Sequence, residues 1–133
     1  MCLPEWETEP DDLTFEFHGF RCRVFRQSYG HLCGYLAIPE DHPWRSADGP
    51  WQKGFWKLNT IGVEVHGGIT FSGWLVDEDP NQFWVGFDCA HSNDFVPEMP
   101  WGVLGGGLEY RNVAFVKNEL QKLALQALNA GKN

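Results

Sequence analysis

Apolar and polar residues alternate over residues 13–17, where Leu13, Phe15 and Phe17 are separated by Thr14 and Glu16. A period of two places one side of a strand in a core and the other in water. A second alternating run, Phe20–Arg26, follows directly after His18-Gly19, so the two predict a tight hairpin. Leu32–Ile38 predicts a third strand, stopped by Pro39. Residues 61–65 and 69–76 flank His66-Gly67-Gly68 and predict two more, and residues 83–89 form a sixth run, apolar enough to be interior. Near the C-terminus the period changes. Val113, Val116, Leu120, Leu123, Ala124 and Ala127 recur at three- and four-residue spacings, and Gly131 supplies a stop. That is one amphipathic helix.

The pattern therefore predicts an α+β fold: a largely antiparallel sheet of about six strands with a C-terminal amphipathic helix packed on one face. Residues 1–12 carry two Pro and five acidic residues and read as an irregular acidic arm, leaving residues 13–133 as a single α+β domain. Two long connections, residues 39–54 and 92–107, interrupt it. Connections of that length in a small domain are usually functional.

Charge and composition narrow the classes. The net charge is −8, with 18 acidic against 10 basic residues, which argues against direct nucleic-acid binding and against a polybasic membrane contact. There is no secretory signal and no run of membrane-spanning length. The four cysteines, Cys2, Cys22, Cys33 and Cys89, form no CxxC pair and read as reduced thiols of a cytoplasmic protein. Seven Trp and ten Phe in 133 residues are a heavy aromatic load. Two or three of the Trp are expected in a pocket, a partner surface or a homo-oligomer contact, with simple core packing as the alternative.

Polar chemistry concentrates in residues 65–73 and 84–94. A His followed by Gly67-Gly68 can bring backbone N–H groups to an anion while the imidazole supplies a donor, an acid/base group or a metal-binding nitrogen. Thr70 and Ser72 would add hydroxyls. A tight turn with a hydrogen-bonded His66 is the alternative. Asp88, His91 and Asp94 fall three apart where an apolar strand runs into loop, and a carboxylate there needs a partner or a ligand. His66, Asp88, His91 and Asp94 together could hold a divalent metal such as zinc or manganese. Cys89 should face away from Asp88, into the core. His42, between Asp41 and Pro43 and followed by Trp44, suggests a rigid loop able to close over a ligand. His31 reads as a solvated loop histidine and His18 as surface. Gly105-Gly106-Gly107 suggests either an anion site before the helix or a flexible link.

The strings His66-Gly67-Gly68-Ile69-Thr70-Phe71-Ser72-Gly73 and Trp84-Val85-Gly86-Phe87-Asp88-Cys89-Ala90-His91, with Asp94 beyond, resemble an uncharacterised family of small phage and bacterial proteins. The resemblance runs from about Gly30 to the C-terminal helix. It implies a phage accessory protein acting in the bacterial cytoplasm, of a kind that often disarms host defence, sometimes by sequestering a nucleotide messenger. Three readings stand. The first is a binding protein for a small, nucleotide-like or otherwise anionic ligand, with no cofactor. His66, Gly67, Gly68, Thr70, Ser72, Asp88, His91, Asp94 and His42 would hold the polar groups, and Trp44, Trp51, Trp84 or Trp101 would stack a base. The second is a metal-dependent hydrolase with His66, Asp88, His91 and Asp94 as ligands. The third is an acidic protein-binding inhibitor.

Overall fold

The computed structural model describes residues 3–45, 58–59, 62–91, 93–99 and 108–132. A helical turn, α1 (Glu5–Thr8), precedes three consecutive strands, β1 (Asp12–Phe17), β2 (Phe20–Arg26) and β3 (Leu32–Ile38). A 3₁₀ turn (Pro43–Arg45) follows, then β4 (Phe71–Gly73), β5 (Phe83–Asp88) and the C-terminal helix α2 (Val113–Ala130). The strands form one sheet in the order β1-β2-β3-β5-β4, every neighbouring pair antiparallel.

The first hairpin turns where expected. Phe17 faces Phe20, and both turn residues have positive φ, 52° at His18 and 85° at Gly19, the pairing that matches the twist of two antiparallel strands. All seven residues of β3 are buried, as its central place between β2 and β5 requires. The helix lies across β1, β2 and β3. Val116, Leu120, Leu123, Ala124 and Ala127 meet Val24, Leu36, Ile38, Val85 and Phe87 in the main core. Gly34 permits the close approach, because a Cβ there would stand 2.7 Å from the Phe87 ring and 3.0 Å from Val116. The other face of the sheet carries a smaller cluster, Cys33, Tyr35, Ala37 and Trp84 with Phe25, Phe71 and Leu75.

Two strand expectations are corrected. Residues 62–65 of the run at 61–65 form no strand. Gly62 N and Val63 N donate instead to the carbonyls of Asn59 and Leu58, and the backbone of Glu64 and His66 is bonded by helix side chains. Glu64 N donates to Gln126 Oε1 at 2.7 Å, Gln126 Nε2 donates to the Glu64 carbonyl at 2.6 Å, and His66 N donates to Glu119 Oε1 at 2.8 Å. The sheet among the described residues thus has five strands. The run at 69–76 also shrinks to the three residues of β4, because the chain folds back at Leu75 and Asp79 in successive turns. Arg23, with a side chain only 5% exposed, holds that fold down through bonds of 2.8 Å to both oxygens of Asp77 and 3.3 Å to Glu78, while also gripping Asp12. No described helix is long and apolar enough to cross a membrane.

Candidate functional site

The site forms where β5 ends, β3 begins and α2 is about to start. Asp94 is its anchor. A parallel bridge pairs it with Glu109, holding the residues after β5 against the segment that leads into α2. Its side chain has no exposure. Oδ1 accepts from Arg111 Nε at 2.8 Å, Oδ2 accepts from the His91 backbone N–H at 3.0 Å, and His66 Nε2 lies 3.0 and 2.9 Å from the two oxygens. Burial alone would raise the Asp94 pKa. The Arg111 guanidinium, His66 and the His91 N–H outweigh it and hold the carboxyl below its ordinary value. With Asp94 ionised, His66 Nε2 carries the proton and donates, and Nδ1 is the nitrogen not committed to this carboxylate.

His91 stands beside His66, ring centroids 5.7 Å apart, and the Phe115 ring meets His66 edge-on at 5.0 Å. His91 Nε2 lies 2.7 Å from Asp88 Oδ1, but off the line of a hydrogen bond, and neither buried atom has another partner. Gly67 makes the closeness possible. Its φ is 70°, and a Cβ at that position would collide with the His91 ring. Asp88 faces Cys33 across the ladder, and Cys89 turns to the opposite side and packs in the main core, as expected. Cys22, Cys33 and Cys89 are free and buried, and burial pushes the Cys33 thiol up to about 11.

His66, Gly67, Asp88, His91 and Asp94 thus come together, in two His–carboxylate pairs. The rest of the predicted set lies apart. Gly68 N donates to the Val65 carbonyl, and the backbone of Ile69 is bonded in both directions by Asn59. With His66 N held by Glu119, three of the four N–H groups of residues 66–69 are already engaged. Thr70 N extends the ladder to the Gly86 carbonyl, and Ser72 pairs with Val85 in β4.

His42 is buried at the other end of α2. Its Nδ1 accepts from Trp44 N at 3.1 Å, so Nε2 is the protonated nitrogen that donates to the Ala127 carbonyl at 2.7 Å. Phe115, beside His66, is twelve residues up the helix from there, about 18 Å away. Trp44 and Trp84 are buried in the two cores, 3% and 0% exposed, so neither offers a face to a base. Trp51, Trp101, Ser92, Cys2 and Gly105-Gly106-Gly107 lie outside the described residues. A shallow cleft of about 380 Å³ lined by Trp44, Gly62, Val63, Gln126, Asn129 and Ala130 lies at the His42 end and carries no titratable group.

Three contributors were missed in the sequence. Arg111 had a signal: a cation beside the positive end of a helix is unfavourable unless an anion claims it. Glu119 had one too, an acid on the apolar face of α2. His31, expected to be solvated, is half-buried. Its Nδ1 is enclosed without a partner, and burial lowers its pKa despite the nearby charges of Asp88 and Asp94. As the side chains stand, no group of three or more His, Cys, Asp or Glu among the described residues is placed to hold a metal ion. The chain matches no protein-family model, no curated protein and no solved structure.

Proposed function

We propose that the chain binds a small polar ligand carrying a phosphate or similar group, at the paired imidazoles of His66 and His91. One observation carries the reading: two histidines side by side, each with Nε2 turned to a carboxylate, fixed from behind by a buried Asp94–Arg111 ion pair. A buried pair of that kind holds rings in one orientation, which a binding site needs and a solvated surface histidine does not have. The engaged N–H groups of residues 66–69 shift the work of recognition from backbone to side chains. Nucleotides, cyclic dinucleotides among them, carry such a phosphate and are the first ligand class to test, with sequestration of such a messenger the role to test after it.

The hydrolase built on His66, Asp88, His91 and Asp94 fits less well. Asp94 already accepts from three N–H groups, those of Arg111, the His91 backbone and His66, the last lying within reach of both oxygens, so its carboxylate is committed to the protein's own donors.

The test is thermal unfolding of the purified protein against inorganic phosphate, mononucleotides and cyclic dinucleotides. At least one is expected to raise the melting temperature, since a ligand at 100 times its Kd stabilises by about 2.7 kcal/mol. His66→Ala, His91→Ala and Gly67→Ala, the last by driving a methyl into the His91 ring, are each expected to erase the rise. A flat response across the whole panel would sink the proposal, as would a rise that survives both histidine changes.

A further inference from the structure

We infer that the two histidines do chemistry on the bound ligand, cleaving a ribonucleotide phosphodiester with His66 as general base and His91 as general acid. This rests on the ligand reading above and adds a reaction to it. The starting point is the nitrogen that each ring has left over. Nε2 of His66 faces Asp94 at 2.9 Å, and Nε2 of His91 faces Asp88 at 2.7 Å. Neither Nδ1 makes a hydrogen bond among the described residues. The side chains are 17% and 33% exposed, so both rings reach the surface. Proton transfer to and from a ligand needs such a ring, held by a carboxylate on one side and open on the other.

The two carboxylates differ in what else they hold, and that assigns the roles. Asp94 is fully buried and already met by the Arg111 guanidinium at 2.8 Å. Its charge calls for no second cation, so a neutral His66 suffices and Nδ1 offers a lone pair. Among the described residues Asp88 pairs with His91 and with no Arg or Lys. Protonating His91 completes that pair, and its Nδ1 then carries a proton to give. Two chemically identical side chains thus sit in unlike surroundings, which is what divides such a pair into a base and an acid. The other titratable groups around them are Glu119, bonded to the His66 backbone, and His31, whose charged form burial disfavours.

The ring centroids are 5.7 Å apart, a spacing that lets hydrogen bonds of about 2.8 Å reach two oxygens of one phosphate. Arg111 brings the charge. Its Nε is on Asp94 and its Nη1 on Glu109, while Nη2 has no bond among the described residues. Its guanidinium carbon stands 4.9 Å over the Phe115 ring that meets His66 edge-on, so Nη2 can steady charge gathering on a phosphate oxygen. The nucleophile comes from the substrate. His66 Nδ1 takes the proton of a ribose 2′-hydroxyl and O2′ bonds to the adjacent phosphorus. The P–O5′ bond breaks, and His91 Nδ1 gives its proton to O5′. The products are a 2′,3′-cyclic phosphate and a 5′-hydroxyl, and proton exchange with water resets the rings. Attack within one molecule draws its advantage from proximity, which suits a site built of side chains alone. The net charge of −8 points to short or cyclic 3′,5′-linked diribonucleotides and away from long polyanions.

The test incubates the full chain, with a chelator present, with linear and cyclic 3′,5′-linked diribonucleotides and follows the products by chromatography and mass. A 2′,3′-cyclic phosphate is expected, with a bell-shaped pH dependence of kcat/KM whose acid limb reports His66 and alkaline limb His91. The 2′-deoxy form of the same diester lacks the nucleophile, so it should raise the melting temperature and stay whole. A rise in melting temperature with the ribose form left uncleaved would overturn the inference and leave the ligand reading standing. No rise and no cleavage would remove both. His66→Ala and His91→Ala should each slow cleavage by about 100-fold or more, the usual worth of an acid or a base. Asp88 is a positioning residue. Without its negative charge protonated His91 is less favoured, so Asp88→Asn should move the alkaline limb to lower pH and leave the acid limb in place. Cleavage that survives either histidine change, or that stops with the chelator, would also overturn the inference.

Discussion

Asp94 shows how one buried acid can organise several residues at once. It orients His66, fixes the backbone of His91 and neutralises Arg111, with its own side chain fully buried. Removing its charge leaves Arg111 facing a neutral amide, so Asp94→Asn is expected to lower the unfolding free energy by about 3 kcal/mol at pH 7, the scale of a broken buried pair. The folded-state pKa of Asp94 is depressed. Its contribution is therefore fully present above the unfolded carboxyl value of about 3.9 and is lost as pH falls through the lower folded value. Urea unfolding of the native chain and Asp94→Asn should differ at pH 7 and converge towards pH 3; a gap that stayed constant would remove Asp94 from this role. At this scale the sequence was partly legible. The three-residue spacing of Asp88, His91 and Asp94 marked the place, and the cost of a carboxylate at the end of an apolar strand said it needed partners. The partners themselves were not legible. Arg111 comes from 17 residues away and His66 from 28, and only the folded chain brings them within reach.

At the scale of elements, α2 and the hairpin were readable because each obeys a single period that its own residues set. Residues 61–65 alternate in the same way and yet form no strand where described, because a period of two reports which side chains are buried and not what the backbone is bonded to. Gln126 and Glu119 answered that question from the helix. The N-terminal arm adds an element that charge alone did not predict. Trp6 of α1 packs on Phe95 and Tyr110, and Glu9 accepts from the Tyr110 hydroxyl at 2.7 Å and from the first amide of α2, Val113 N, at 2.8 Å. Asn112 caps the next turn by accepting from Phe115 N at 2.8 Å. The arm is thus a second cap on α2, adjoining the segment that carries Glu109 and Arg111. Glu9→Ala should cost about 1–2 kcal/mol in urea unfolding, the usual loss of a helix cap together with one further hydrogen bond. Unchanged stability would mean that the arm rests on the helix without supporting it.

For the molecule as a whole, the class of fold followed from the order of periods along the chain, several of two and then one of 3.6. The number and order of strands did not, since no local pattern distinguishes a longer strand from a three-residue one followed by turns that the buried Arg23 holds through Asp77 and Glu78. The same sheet has an outer boundary at β1, where the backbone groups of Asp12–Phe17 that face away from β2 meet no other strand among the described residues. Such a row of free amides is a template on which a second copy can continue the sheet. Asp12, Thr14 and Glu16 alternate along it, exposed on one side, within a chain of net charge −8. Like charge is then what keeps copies apart, and that protection vanishes near the isoelectric pH of about 4.9 that the sequence implies. Light scattering in dilute buffer should rise sharply as the protein is brought to that pH and fall again on return to neutrality. Replacing Glu16 with Lys should shift the onset. A chain that stayed monodisperse at its isoelectric point would show that shape, and not charge, guards this edge.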